Sequence, residues 1–392
     1  MAKKTNVTVV GGGYAGVIAA NHLRMNADVA ITLINPRPQF VERIRLHQLV
    51  TGSDDAVVDY SDVLADDVRL MIDTAEHIDV AARTVALGSG NTVGYDYLVY
   101  AVGSAGAAPT VPGAAEFAHP ISELEHAEPL RAAVARIQPG APLVVVGAGP
   151  TGIETAAELA EEGHAVTLVC GGALGPYFSA PARRAGAKRM RTLGVAVVEG
   201  PGAKVAKVRE RTVLLADGRE LPSAVTVWTV GFGVPDLAAR SGLATDAIGR
   251  LLTDETLTSV DDPYVVATGD ASAPSGRPLR MSCQAAIPLG AQAANTVLSR
   301  IAGTEPATVD QAFTGQCVSL GRHAGVIQLA HLDDRVTRMY LGGRPAAVVK
   351  EAVCKGTISF LSREARKPGS YFWLKGGKRA EHLAAAETSA VR

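Results

Sequence analysis

Residues 7–16, VTVVGGGYAG, decide the fold of this chain. An apolar run that favours a β-strand leads into three glycines, and the apolar segment that follows favours a helix. In such a turn Gly11 makes the bend, Gly13 lets the backbone approach a pyrophosphate, and Gly16 lets helix and strand pack closely. The same order recurs at residues 143–152, LVVVGAGPTG. One glycine-rich turn is weak evidence, but two in the same strand-turn-helix setting predict two bound dinucleotides.

Composition supports an α/β protein and excludes several other classes. The chain has 392 residues, 47% of them hydrophobic, which suffices for two or three packed domains. A net charge of −1 argues against a nucleic-acid partner. We find neither an apolar signal segment nor a span of transmembrane length, and therefore expect a cytoplasmic protein. The four cysteines are far apart, which argues against a disulfide framework or a metal site; they are Cys170, Cys283, Cys317 and Cys354.

The order of strand-like and helix-like segments predicts three units. Residues 1–113 and 237–312 form the first dinucleotide-binding domain, and residues 114–236, with the second fingerprint, form the other. Residues 313–392 resemble neither and are predicted to form a small α+β domain. We expect the Ala-rich tail after Lys378 to be loose.

Each dinucleotide-binding unit lacks the acidic residue that commonly binds a ribose at the end of the second strand. Asn35 holds that position in the first unit and Cys170 in the second. An amide at Asn35 still hydrogen-bonds hydroxyls. A carboxylate in the second unit would repel the 2′-phosphate of NADPH, so its absence predicts use of both NADH and NADPH. Arg183 and Arg184 could approach that phosphate or lie on a solvated helix face.

Four segments together resemble the flavoproteins of the pyridine nucleotide-disulfide reductase superfamily, from residue 7 to about residue 300. They are the first fingerprint, the strand from Tyr97 to Gly103, the second fingerprint with Glu154, and the segment VATGD that ends at Asp270. The resemblance implies two Rossmann-like domains, FAD in the first and NAD(P)H in the second, with Asp270 bonded to the ribityl chain.

Departures from the superfamily pattern narrow the activity. Residues 40–47 contain no cysteine, so dithiol chemistry is not expected. The remaining branches pass electrons from flavin to an external acceptor. Residues 318–328 resemble the ferroptosis-suppressor branch, related to apoptosis-inducing factor. The quinone signature of type II NADH:quinone oxidoreductases is half present, with Gln284 retained and Pro288 in place of its second glutamine.

The resemblance also assigns roles to individual residues. Glu154 is expected at the nicotinamide and the flavin edge, and Arg45 beside the flavin, where Arg43 and His47 are further donors. Lys350 and Lys355 are both candidates for a lysine near the flavin, and we choose Lys355. The predicted cofactor-binding residues are Gly11, Gly13, Tyr14, Ala15, Gly16, Asn35, Pro36, Arg43, Ala75, Ala101, Gly103, Asp270 and Gln284 for FAD, and Gly147, Gly149, Thr151, Gly152, Cys170 and Gly231 for the nicotinamide cofactor.

The expected function is an FAD-dependent NAD(P)H oxidoreductase with a quinone as its acceptor. Two alternatives stay open: a ferredoxin- or rubredoxin-type reductase with a protein acceptor, and a non-catalytic, nucleotide-bound redox sensor. Basic residues near the C-terminus, including Lys375 and Lys378, could dock a protein or an anionic lipid. We therefore expect peripheral membrane contact through the C-terminal domain, in a monomer or homodimer.

Overall fold

The first fingerprint begins a five-stranded parallel sheet. The computed structural model describes residues 4–390, and it describes side-chain surroundings as far as residue 385. Residues 1–3 of the predicted first domain and residues 391–392 of the predicted third domain lie outside this range. The strand order is β21-β9-β1-β2-β5. These strands are β1 (Thr5–Val10), β2 (Val29–Asn35), β5 (Arg69–Ile72), β9 (Tyr97–Tyr100) and β21 (Val265–Ala267).

Within residues 4–390, the first unit also contains five helices and three small sheets. The helices are α1 (Tyr14–Leu23), α2 (Leu46–Thr51), α3 (Tyr60–Val63), α8 (Leu237–Arg240) and α9 (Cys283–Ile301). The short strands are β3 (Gln39–Val41) paired with β4 (Val57–Asp59), β20 (Leu251–Thr253) paired with β22 (Ser272–Pro274), and the antiparallel set β6 (Ala75–Asp79), β7 (Thr84–Leu87) and β8 (Thr92–Gly94).

The second fingerprint lies in a second parallel sheet of five strands, in the order β11-β18-β12-β13-β14. These strands are β11 (Ala118–Pro120), β12 (Pro142–Val146), β13 (Ala165–Val169), β14 (Ala196–Val198) and β18 (Val225–Trp228). Its helices are α4 (Ala114–Phe117), α5 (Leu124–Arg136), α6 (Pro150–Glu161) and α7 (Ala180–Thr192), and an antiparallel set comprises β15 (Val205–Val208), β16 (Thr212–Leu215) and β17 (Glu220–Pro222).

The chain crosses between the two units twice, and the two crossings are hydrogen-bonded to each other. Strand β10 (Ala105–Gly106) on the way out pairs antiparallel with strand β19 (Phe232–Gly233) on the way back. The second unit is therefore an insertion into the first, and the chain enters and leaves it at neighbouring points.

The last part of the chain is an antiparallel sheet followed by a long helix. Strands β23 (Gly315–Ser319), β24 (Gly325–Ala330) and β25 (Val336–Gly342) precede helices α10 (Gly343–Arg366) and α11 (Arg379–Ala390). Helix α11 replaces the loose tail expected after Lys378. Alanine favours a helix, and Arg379 anchors its start by two hydrogen bonds to Glu255, of 2.5 and 2.8 Å. The predicted α/β class, with two Rossmann-like units and an α+β end, is confirmed.

The glycines of the two fingerprints have the same geometry. Gly11 and Gly147 have φ angles of +107° and +119°, which a side chain would strain. A Cβ on Gly16 would overlap the carbonyl oxygen of Gly11, and one on Gly152 would overlap that of Gly147. Each turn therefore closes only with glycine at its first and last positions.

Helices α1 and α9 pack closely because Gly290 has no side chain. A Cβ at Gly290 would overlap the Ala15 carbonyl oxygen and the Ile18 side chain, whereas one at Gly356, within α10, would meet only the Phe360 ring edge at 3.9 Å. Gly290→Ala should lower the free energy of unfolding by about 2 kcal/mol through overpacking. Gly356→Ala, the matched control, should raise it by about 0.5 kcal/mol through helix propensity. Denaturant unfolding measures both, and equal effects would contradict the close packing.

Candidate active site

Both fingerprint helices begin with free backbone donors. The residues before their first turns, Gly13 for α1 and Gly149 for α6, make no side-chain capping hydrogen bond. A Cβ at either glycine would meet nothing within 4 Å, so the approach to each helix N-terminus is open. Uncapped N–H groups at the positive end of a helix bind phosphate. The two sites therefore fit the pyrophosphates of two dinucleotides.

The Asn35 amide orders the first fingerprint turn. Its Oδ1 accepts a hydrogen bond from the Gly12 N–H at 3.0 Å, and its Nδ2 donates to the Arg37 carbonyl at 2.8 Å. The Tyr60 hydroxyl donates to the Gly12 carbonyl at 2.8 Å. Asn35 is thus bonded to protein on both sides of its amide, and the ribose contact expected of it remains a prediction.

Asp270 lies at the end of strand β21, in a single 3-10 turn. Ser104 Oγ donates to Asp270 Oδ2 at 2.7 Å, and Arg43 donates to the Ser104 carbonyl at 2.7 Å and to the Ser122 carbonyl at 3.0 Å. Burial raises the pKa of the Asp270 carboxyl, and the Ser104 hydrogen bond and the Arg43 charge oppose that rise. Arg43 therefore joins the first unit to Ser122 in the second.

A buried ion pair joins the second unit to the C-terminal domain. Lys350 Nζ of helix α10 lies 3.1 Å from Glu154 Oε1 of helix α6; the Glu154 side chain is buried and that of Lys350 is mostly so. The Ser319 N–H, at the end of β23, donates to the same oxygen at 2.9 Å. Burial alone would lower the pKa of Lys350, but the Glu154 carboxylate outweighs it and holds that pKa above its usual range. Lys350 therefore stays protonated at neutral pH.

His47 extends this ion pair into the first unit. Its Nδ1 lies 3.8 Å from Glu154 Oε2, and its Nε2 lies 3.3 Å from Glu158 Oε1, one turn further along α6. Thr51 and Arg322 also approach Glu158, Thr51 by a 3.2 Å hydrogen bond. A continuous set of buried polar side chains thus spans all three units; we call Lys350, Glu154, His47 and Glu158 the central charge cluster.

Comparison with known proteins agrees with this geometry. The sequence pattern of the pyridine nucleotide-disulphide oxidoreductases matches residues 5–290. This chain belongs to that family. FAD is its cofactor, NADH is its co-substrate, and its activity is that of an oxidoreductase. The suspected membership and the expected FAD and NADH are confirmed.

Several proteins with different electron acceptors are similar to this oxidoreductase. An NADH dehydrogenase-like protein of Mycobacterium tuberculosis is 29% identical over 325 residues, covering 75% of this chain and 80% of that protein. The type II NADH:quinone oxidoreductase of the same organism is 28% identical, covering 78% and 74%. The ferredoxin–NAD(+) reductase component of the Paraburkholderia xenovorans biphenyl dioxygenase system is 28% identical, covering 68% and 67%. The sulfide:quinone oxidoreductase structure of Aquifex aeolicus shares the fold, with a TM-score of 0.79 at 20% identity and 93% of each chain covered.

The two candidate lysines of this oxidoreductase lie in different surroundings. Lys350 is 13% exposed and paired with Glu154, whereas Lys355 is 74% exposed and lies 3.7 Å from Glu351. The sequence favoured Lys355, and the structure instead puts Lys350 in the central charge cluster. Five residues separate them, which turns the second lysine to another side of α10.

Arg45 is buried between carboxylates. It lies 3.1 Å from Glu351 and 3.4 Å from Glu42, and it donates to Gln48 at 2.8 Å. Burial would lower its pKa, but the Glu351 hydrogen bond and neighbouring negative charges raise it. Arg45 thus joins the first unit to helix α10, and its expected place beside the flavin remains a prediction.

The other predicted cofactor residues lie at separate places in the first and second units. The Ala101 N–H donates to the Val10 carbonyl beside the first fingerprint, at 2.8 Å. Gly103 and Gly231 have positive φ, and Ala75 begins β6. The Gln284 amide donates to Thr314 at 2.7 Å, while its buried Oε1 has no partner among the described residues. The Tyr14 hydroxyl is also buried and without a hydrogen-bond acceptor or donor there.

Sequence analysis missed Ser104, Glu158 and Glu351. Only the i,i+4 spacing from Glu154 marks Glu158, because residues four apart share a helix face. Ser104 and Glu351 reach their partners through tertiary contacts, and their local sequence carries no signal.

Three of the four cysteines lie around Lys350, although they are far apart in the sequence. Cys283, Cys317 and Cys354 interact electrostatically with that ammonium group. Burial raises the pKa of each thiol, that of Cys354 to about 11, and Lys350 opposes the rise. All four cysteines are free. The thiols are therefore protonated at neutral pH and act as small buried side chains.

A cavity of about 420 Å³ opens next to the central charge cluster. It is bounded by Gln48 of the first unit and by residues of the C-terminal domain on the other sides. Its polar lining includes Ser319, Arg322, Lys350 and Glu351. Lys350 thus belongs both to the lining of this cavity and to the central charge cluster.

The central charge cluster makes stability depend on pH. Burial raises the pKa of Glu158, but the adjacent His47 imidazole and the Arg322 charge lower it more, to below its ordinary value of 4.5. The stabilisation is therefore present above about pH 4.5 and is lost as pH falls through the lowered pKa of the folded state. Glu158→Gln should lower the free energy of unfolding at pH 7 by about 3 kcal/mol.

This deficit should narrow below about pH 4.5, where the carboxylate takes up a proton in the unfolded wild-type chain before it does so in the folded protein. Denaturant unfolding at pH 7, 5 and 4 provides the measurement. Glu162→Gln, an exposed position at the end of the same helix, is the control and should change stability little. A deficit that is independent of pH would show that the Glu158 charge is not the stabilising feature.

Proposed function

We propose that this oxidoreductase transfers a hydride from NADH to FAD and then passes the electrons to a quinone. The Lys350–Glu154 ion pair carries the proposal, because a buried protonated amine lies where both dinucleotide-binding units and the C-terminal domain meet. When bound, FAD accepts a hydride from NADH and returns electrons to a second substrate. Membership of the family supplies the first half of this reaction, and the acceptor is the part proposed.

The protein residues supply orientation and charge. The N–H groups of the first turns of α1 and α6, which in α6 begin at Thr151 because Pro150 has no N–H, would hold the two pyrophosphates, and Asp270 would bind a hydroxyl of FAD. Glu154 fixes the Lys350 ammonium, and Ser319 fixes Glu154. A fixed cation stabilises negative charge that develops on a neighbouring ring without having to reorganise. Lys350 thereby has the role that the sequence assigned to Lys355.

The cavity at Lys350 favours a quinone over a larger acceptor. Its 420 Å³ lies within the range of small-molecule sites. The side chains of Lys350, Gln48 and Arg322 carry N–H donors there, which suit the carbonyl oxygens of a quinone. The relative named as a type II NADH:quinone oxidoreductase supports the same acceptor.

A protein acceptor is the second candidate. It is supported by the similar ferredoxin–NAD(+) reductase component, with 28% identity. An iron–sulfur protein does not enter a cavity and receives electrons across a docking surface. The exposed basic side chains of α10, Arg344, Lys355 and Arg363, would attract an acidic partner.

We further propose that the outer face of α10 binds an anionic membrane surface. Val349, Val353 and Phe360 are exposed at helical spacing and share one apolar face, and Val348 beside them is 70% exposed. The two acidic residues of the helix do not oppose such contact, since Glu351 pairs with Arg45 and Glu364 is buried against His22. No helix within residues 4–390 is long and apolar enough to cross a bilayer. The contact would be peripheral, at the cytoplasmic surface, and would let a lipid-soluble quinone reach the cavity.

Lys350→Met should slow flavin reduction by NADH about 100-fold while leaving the FAD content unchanged, because the fixed cation is lost and the fingerprint is not touched. Anaerobic stopped-flow bleaching of the flavin absorbance isolates this step. Lys350→Gln, which keeps a polar group beside Glu154 but lacks the charge, is a second variant in case Lys350→Met does not fold, and it should show the same slower reduction. Lys355→Met is the matched comparison and should retain the wild-type rate, and the opposite ranking of the two lysines would refute the assignment.

The acceptor is tested by steady-state turnover with NADH and a soluble ubiquinone or menaquinone analogue, compared with ferredoxin. Quinone reduction that Lys350→Met impairs supports the proposal. Turnover with ferredoxin alone would transfer the function to the protein-acceptor class. Rapid reduction of the flavin by NADH, without turnover on any acceptor, would favour the alternative of a non-catalytic redox sensor.

Membrane contact is tested by co-sedimentation with vesicles. The wild type should bind phosphatidylglycerol vesicles more strongly than phosphatidylcholine vesicles, and added salt should weaken the binding. The double variant Val348→Glu, Val353→Glu should lower partitioning about tenfold or more, since two apolar contacts become charges. Val260→Glu, at an exposed valine of the first unit, is the control. Equal sedimentation of all three proteins would exclude α10 as the contact.

A further inference from the structure

The carboxyl edge of the second sheet has an acidic residue one strand away from the position where sequence analysis looked for it. Strands β13 and β14 pair in parallel with Val169 opposite Val198, and the Cys170 N–H donates to the Val198 carbonyl at 2.9 Å. Glu199 is the residue that follows β14. Cys170, which occupies the usual ribose-binding position, therefore has a carboxylate as its immediate neighbour.

The carboxylate of Glu199 is held in place beside the second fingerprint. Its Oε1 accepts a hydrogen bond from the Leu174 N–H at 2.7 Å. In the same loop the Gly175 N–H donates to the carbonyl of Ala148, inside the fingerprint, at 3.2 Å. Burial raises the pKa of the Cys170 thiol to about 12, and the negative charge of Glu199 is the second cause. The Glu199 carboxylate therefore lies close to the Cys170 side chain.

One oxygen of Glu199 is available to a ligand. The side chain is exposed, and its Oε2 makes no hydrogen bond or ion pair within residues 4–390. The Arg183 guanidinium, which could have neutralised the Glu199 charge, is hydrogen-bonded to other groups. Arg183 donates from Nε to the Leu174 carbonyl at 2.8 Å and from its guanidinium to the carbonyls of Gly175 and Phe178. Arg183 therefore braces this loop, and its hydrogen-bonding groups are directed at the backbone.

We infer that Glu199 selects NADH over NADPH. Its free oxygen accepts a hydrogen bond from a hydroxyl of the adenosine ribose, and its negative charge repels a phosphate on the 2′ position. The carboxylate thus comes from the residue after strand β14, and not from the residue after β13. This inference rests on the proposed function, in which the bound nicotinamide cofactor reduces FAD. It replaces the expected use of both NADH and NADPH, which followed from the absence of an acidic residue at Cys170.

The experiment uses two fragments of the nicotinamide cofactors, ADP-ribose and its 2′-phosphorylated form, and measures their binding to the FAD-loaded protein by calorimetry. Both carry the adenosine end of the dinucleotide and neither carries the reactive nicotinamide. The wild type should bind ADP-ribose at least about tenfold more tightly, since like charges disfavour the other ligand. Glu199→Gln should reduce this ratio about tenfold, mainly by strengthening binding of the 2′-phosphorylated fragment.

The variant is conservative, because the glutamine Oε1 can still accept the Leu174 hydrogen bond and only the charge is lost. Glu162→Gln, a change of equal charge at the opposite end of helix α6, should leave the ratio at the wild-type value. A ratio near one in the wild type, or an unchanged ratio in Glu199→Gln, would overturn the inference. Failure of the wild type to bind either fragment would overturn it as well.

Failure of the proposed function is separately visible. Selective ADP-ribose binding that depends on Glu199, without quinone reduction, would sustain the inference and remove the proposed acceptor. Quinone reduction with NADH, together with an unchanged ratio in Glu199→Gln, would remove the inference alone. As a second readout, flavin bleaching by NADPH should accelerate in Glu199→Gln relative to bleaching by NADH.

Discussion

The buried contact between Lys350 and Glu154 is the constraint on which the arrangement of the three units depends. Two charges removed from water are expensive unless each has a partner and further hydrogen bonds. Glu154 obtains these from Lys350 and the Ser319 N–H, and His47 lies on its other side. Because these groups come from three separate parts of the chain, the units must assume one relative position for every charge to be paired. Electrostatic pairing thereby fixes the junction at which the reaction is proposed to occur.

The same junction explains why the nearby cysteines are chemically quiet. A protonated amine lowers the pKa of a neighbouring thiol, yet burial of Cys283, Cys317 and Cys354 has the larger effect and raises it. Lys350 does not activate them, because its positive charge is already balanced by Glu154. The family name refers to disulphide chemistry, whereas these residues supply a fixed cation and three thiols that remain protonated.

Local sequence was sufficient for features that depend on backbone geometry. Gly11 and Gly147 could be identified because a tight turn with positive φ requires glycine, and the flanking apolar runs already indicate a strand and a helix. Side chains whose role depends on a distant partner could not be placed in this way. Lys350 and Lys355 differ in their surroundings because only Lys350 pairs with Glu154, which lies 196 positions earlier in the chain. Glu199 escaped notice for a related reason, since only the register of β13 on β14 makes it a neighbour of Cys170.

The pairing of β10 with β19 also bears on how the chain folds. Strand β21 must join β9 to complete the first sheet, although the whole second unit lies between them in the sequence. Closing so long a loop in an unstructured chain is slow, because the entropy is lost before the contact is gained. Once the second unit has folded, its two ends lie side by side in the β10–β19 ribbon, and the loop that must close between β9 and β21 no longer includes that unit. The inserted domain therefore acts as a scaffold for the assembly of the domain that surrounds it.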